Sequence, residues 1–192
     1  MEDEITTSRN NIRQISERLA ESEINIAQWQ TEMRHEMKII HTQTAALQKG
    51  GWDQMTQSDW GAVGQLTREQ YQFLENFAID IETGRQRLRN LAGEVNGQFL
   101  RRADLYAQAG AGTHSQMERR QARQNAEITH ERRALDPRAQ HCACCPAQEA
   151  KGWRLIGNND LLKIGACDCS SNCRCKFVFG VRQPDGQIDE IE

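Results

Sequence analysis

Residues Glu2 to Lys49 include neither proline nor glycine, and the whole chain of 192 residues holds three prolines. Cysteine is missing from every position before Cys142. No apolar run approaches the length that spans a bilayer, which excludes a membrane-spanning helix and predicts a soluble chain. With 38% hydrophobic and 27% charged residues and a mean hydropathy of -0.78, there is too little apolar material for a large globular core. That composition suits extended helices, each burying one stripe against a neighbour. The formal net charge of -3 argues against wholesale nucleic-acid binding. Phosphate-cradling glycine loops, a nucleophile elbow, His-Glu-x-x-His and an EF-hand loop are all absent. A zinc deaminase needs His-x-Glu upstream of a cysteine pair. His130-Glu131 puts the carboxylate one position too close, and His114 and His141 have no glutamate two residues on. No acid–base constellation is visible, so the chain is not expected to be an enzyme.

What is present first is a helical pattern. Ile5, Ile12, Leu19, Ile26, Met33, Ile40 and Leu47 form an apolar column at a seven-residue repeat, beside a mixed column containing Ile15, Trp29 and Glu36. This predicts one long helix from Glu2 to Lys49, as a coiled-coil strand or a bundle helix, ended by Gly50-Gly51. Trp52, Met55, Trp60 and Val63 predict a packed connection. Thr67-Arg68-Glu69-Gln70 has capping-box spacing and opens a second long helix, with a seam through Leu74, Phe77, Ile81, Leu88, Leu91, Val95 and Phe99. Gly84, Gly93 and Gly97 in that seam suggest close helix approach or a bend. An antiparallel helical hairpin over residues 1–110 is the default.

Gly110-Ala111-Gly112 reads as a hinge and Thr113-His114-Ser115-Gln116 as another capping box. Residues 111–137 then read as a basic connecting helix carrying Arg119, Arg120, Arg123, Arg132 and Arg133, ending near Asp136-Pro137. Balanced by Glu118, Glu127 and Glu131, it suits a solvated face. The other reading lets Arg119, Arg120 and Arg123 contact phosphates, as a metal-dependent nucleic-acid-binding module would, with Arg174 contributing.

All seven cysteines fall in residues 138–192, a Cys-rich module that finishes on an acidic, solvated tail from Asp185 to Glu192. One knot is His141-Cys142-Ala143-Cys144-Cys145-Pro146 and the other runs from Cys167 through Cys169 and Asn172 to Cys175. The span between them is turn-rich, with Ile156-Gly157-Asn158-Asn159. Two residues between Cys142 and Cys145 let both sulfurs face one tetrahedral ion. A second pair from Cys169, Cys173 and Cys175 completes four-coordination, and Cys173 and Cys175 alternate as on one face of a strand leading into Phe177 and Phe179. Structural zinc is favoured, with a 4Fe–4S cluster as the alternative. Disulfides are the rival, which the odd cysteine count and the lack of a secretory signal disfavour. The expected fold is mainly α, followed by a small metal-stapled module with short strands.

Residues from about Ala103 to Phe179 resemble the C-terminal portion of bacteriophage head morphogenesis proteins, the Mu F-like minor head family. The resemblance is carried by Leu105-Tyr106-Ala107-Gln108-Ala109-Gly110, Glu131-Arg132-Arg133-Ala134-Leu135, Cys142 to Pro146, Gly152-Trp153 and Asn172-Cys173-Arg174-Cys175. It implies Cys142, Cys145, Cys169, Cys173 and Cys175 as candidate ligands, with Cys144 and Cys167 as additions to the pattern. It further implies a virion component at the head or head–tail connector. Such a protein, assembled in the host cytoplasm, works beside portal, connector or capsid proteins and its own copies in a symmetric ring, near packaged DNA.

Overall fold

The computed structural model describes residues 1–158, 160–168 and 173–191; Asn159, Cys169, Asn172 and Glu192 of the segments singled out above lie outside them. The chain is mainly helical with a small C-terminal sheet and a cysteine cluster, and it divides into two compact units, Met1–His114 and Ser115–Glu192. Among the described residues no helix is long and apolar enough to cross a membrane.

The first unit contains α1 (Glu2–Ala20), α2 (Ile26–Lys49), a short 3-10 turn (Trp52–Gln54), α3 (Gln57–Glu82) and the first part of α4 (Gly97–Gln124). The single helix expected from Glu2 to Lys49 is therefore broken at residues 21–25. Asn25 caps α2: its side chain accepts from the Gln28 backbone N–H and the Gln28 side chain accepts from the Asn25 N–H, each at 2.9 Å. This reciprocal box satisfies two orphan donors and makes a new helix start cheaper than a continuation. Ser22 takes a left-handed φ of 63°, and α1 folds back on α2, with Trp29 Nε1 donating to Ser16 Oγ at 3.3 Å and Arg18 paired with Glu32 at 2.6 Å. The apolar column survives the break, because Ile12, Leu19, Met33 and Ile40 are all buried; Leu47 is exposed. Gly50 ends α2 as expected, at φ 86°.

The second helix differs too. It begins at Gln57, capped by Thr56 and Asp59, so Thr67 lies inside α3, where its hydroxyl donates back to the Val63 carbonyl. It ends at Glu82, and residues 83–96 form a loop in which Asn90 Oδ1 accepts from Ala92 and Glu94 N–H at 2.9 Å. Leu91, placed in the seam by its spacing, is 94% exposed there. Trp52 and Trp60 stack on each other at 5.6 Å but stay partly exposed, so the connection is less packed than expected.

The core of this unit is built on Trp29, Phe77 and Phe99, with ring centroids 5.3 to 6.4 Å apart. Gly110 and Gly112 form no hinge; both lie inside α4, as do Thr113 to Gln116, so no capping box operates there. A Cβ at Gly110 would stand 2.7 Å from Ile40 Cγ1, so glycine permits close approach of α4 to α2.

The second unit takes the end of α4, then β1 (His130–Ala134), α5 (Cys144–Glu149), β2 (Arg154–Leu155), β3 (Lys176–Arg182) and β4 (Ile188–Ile191). The strands form one antiparallel sheet in the order β2-β1-β3-β4. Two expectations are corrected. The basic helix of residues 111–137 stops at Gln124, and its second half is the central strand β1. The acidic tail is not simply solvated, since Ile188 to Ile191 pair with β3 as an edge strand. In both places long-range backbone pairing overrides a charged local composition.

Candidate metal centre

The inner face of the sheet is set by strand register. Glu131 lies opposite Phe179 and Arg133 opposite Phe177, and the period of two carries this face on to Cys175, just before β3 begins. Phe177, Phe179, Cys175, Cys145, Leu161, Ile164 and Ala122 form the apolar core of the unit. The other knot enters from α5. The Cys145 N–H donates to the Cys142 carbonyl at 3.1 Å, forming the turn that turns both sulfurs the same way. Side chains of α5 anchor it: Glu149 accepts from Leu135 N–H at 3.0 Å and Gln148 from Leu162 N–H at 3.1 Å.

Four cysteines outside any disulfide, Cys142, Cys145, Cys173 and Cys175, come together here from segments 28 or more positions apart in the chain. Cys142 and Cys145 Sγ are 3.5 Å apart. Thiolates around zinc, each about 2.3 Å from the ion, sit roughly 3.8 Å from one another in a tetrahedron. The Cys142–Cys145 spacing fits. Burial, then hydrogen bonds with Cys145 and Cys173, push the Cys175 thiol up to about 12, so these three sulfurs interact. A divalent cation reverses that logic by stabilising the deprotonated form.

Two donor groups lie within metal-binding distance, each with its ligand atoms inside 4.8 Å: His141 with Cys145 and Cys175, and Cys142 with Cys145 and Cys167. Cys167 is also disulfide-bonded to Cys144. These assignments compete, because a sulfur in a disulfide is no thiolate ligand. Cys173 belongs to neither group; a quartet of Cys142, Cys145, Cys173 and Cys175 would avoid the conflict, whichever state Cys144 and Cys167 take. Among the described residues the disulfide rival thus applies to one pair. Cys169 lies outside the described residues. His141 was missed by the spacing argument. Its Nε2 lies 2.8 Å from the Asp136 carbonyl, which can only accept, so Nε2 is the donor there and Nδ1 is the ring atom left for a metal. Its adjacency to Cys142 was the available signal.

The arginines sort differently from expectation. Arg119 does not face solvent: it is 6% exposed and donates through Nε and Nη2 to Glu131 at 2.7 and 2.5 Å, while its guanidinium lies 4.3 Å from the Phe177 ring centroid. It is unavailable to phosphate. Arg123 is exposed with Nη2 3.8 Å from the same carboxylate, and Arg120 is half-buried. Arg132 pairs with Glu190 at 2.7 Å and lies over Trp153. Arg133 is fully buried; its Nη1 donates to the Leu162 carbonyl at 2.6 Å and its Nη2 to Cys173 Sγ at 3.4 Å.

Comparison with protein-family models, curated proteins and solved structures finds no match to this chain.

Proposed function

We propose that the chain is a structural, assembly-type protein whose C-terminal unit is stapled by one zinc ion held by Cys142, Cys145, Cys173 and Cys175. The observation that carries this reading is that a Cys-x-x-Cys turn meets a Cys-x-Cys strand entry: Cys175 hydrogen-bonds with Cys145 and Cys173, and Cys142 Sγ lies 3.5 Å from Cys145 Sγ. A unit with a small apolar core gains from such a cross-link, because binding free energy becomes folding free energy. Four protein thiolates close the coordination sphere, which suits a structural rather than a catalytic role. The resemblance of residues 103–179 to minor head proteins supports placing the protein in a bacteriophage virion. There it would sit at the head or head–tail connector, assembling with portal, connector or capsid proteins and with its own copies in a ring.

Metal content and absorption of anaerobically purified protein test the centre. One zinc per chain is expected, with chelation loosening residues 115–192 while helicity of residues 1–114 persists. Iron with sulfide and a brown colour would move the assignment to a 4Fe–4S cluster; no metal would overturn it. Cys142→Ser and Cys145→Ser should each block particle assembly, and normal particles from both would remove the virion role.

A further inference from the structure

Among the described residues of the second unit two arginines are buried, and one of them has a carboxylate partner. Arg119 is matched by Glu131 through two hydrogen bonds. Arg133, 0% exposed, has no carboxylate paired with it among the described residues, and its Nε lacks a hydrogen-bond partner there. Its contacts are a backbone carbonyl, the face of Phe177 at 5.3 Å and the Cys173 sulfur. Guanidinium does not shed its proton to escape burial, so an unmatched charge in this position is costly. The fold keeps it on the inner sheet face, two residues beyond Glu131 in the strand, where the register aims it at the cysteine cluster.

We propose that Arg133 is the counter-cation and positioning residue of the metal centre: it donates to Cys173 Sγ and offsets the negative charge of a four-thiolate ion site. This deepens the zinc reading and rests on it. Four thiolates around a divalent ion leave a net dianion, and one buried guanidinium cancels half of it. Neutral thiols or disulfides would leave Arg133 without any anion.

The test uses the full chain and three variants, Arg133→Lys, Arg133→Gln and Arg133→Met. Zinc affinity is read by chelator competition and sulfur ligation by the charge-transfer bands of the cobalt-substituted protein. Loss of the charged donor should weaken zinc binding about 10- to 100-fold in R133Q and R133M and shift the cobalt bands. R133K, which keeps the charge, should recover most of the affinity. Wild-type affinity and an unshifted cobalt spectrum in R133Q would overturn the proposal. Equal losses in R133K and R133Q would also overturn it, by showing that only packing matters; R133Q keeps polar donors if R133M fails to fold. Should the wild-type chain bind neither zinc nor cobalt, the metal reading itself falls, which is a different result from intact binding that ignores Arg133.

Discussion

Glu131→Gln keeps the side chain's size and removes its charge. The carboxylate is completely buried, accepts from Arg119 at 2.7 and 2.5 Å, and has Arg123 Nη2 at 3.8 Å. In the variant one amide oxygen accepts a single hydrogen bond, and the amide N–H2 faces guanidinium N–H groups, donor against donor. Arg119 stays buried without its anion. Breaking a buried pair from one side costs about 3–5 kcal/mol. With a loss of about 4 kcal/mol and a urea slope of about 2 kcal/mol per M, the unfolding midpoint falls by roughly 2 M. Pulsed thiol labelling across a urea series reads this unit alone, because all seven cysteines belong to it. Arg119→Met should lose a similar amount, and the double variant should lose much less than the sum of the two, since it leaves no orphaned charge. Additive losses, or a midpoint shift under about 0.5 M for Glu131→Gln, would refute the buried-pair argument by giving it the weight of a surface pair.

Two expectations concern the helical unit. His41 is 1% exposed, with Nδ1 2.5 Å from Thr113 Oγ1, and burial lowers its pKa to about 4. The unfolded chain takes up that proton near pH 6.5 and the folded one does not. Stability is therefore unaffected above pH 6.5 and falls between there and about pH 4, by about 3 kcal/mol in total. Melting temperature against pH should show this slope in the wild type and a flatter profile in His41→Gln; parallel profiles would exclude His41 as its source. Trp29→Ala removes the centre of the aromatic cluster and the bond to Ser16, and should cost about 3–5 kcal/mol by thermal unfolding followed by circular dichroism. A loss below about 1 kcal/mol would mean the cluster is not the core of that unit.

Features written in short stretches of sequence were legible there. The amphipathic stripe of α1 and α2, the glycine stop at Gly50 and the grouping of Cys142 with Cys145 and of Cys173 with Cys175 all follow from spacing within a few residues. So did the mainly helical class with a small sheet after it. The Asn25–Gln28 box that breaks the first helix was also local, but the unbroken heptad column concealed it. Tertiary structure decided the rest. Residues His130 to Ala134 look like a charged helix until partners at 154–155 and 176–180 supply backbone hydrogen bonds, and only then do Glu131 and Arg133 turn inward. Arginine reads as solvated unless partners distant in the chain receive it: Glu131 does so for Arg119, and the Leu162 carbonyl and Cys173 Sγ do so for Arg133. The meeting of Cys145 with Cys175 belongs to the same class, because local pattern says which side chains can act together and only chain closure brings these two sulfurs within 4.8 Å.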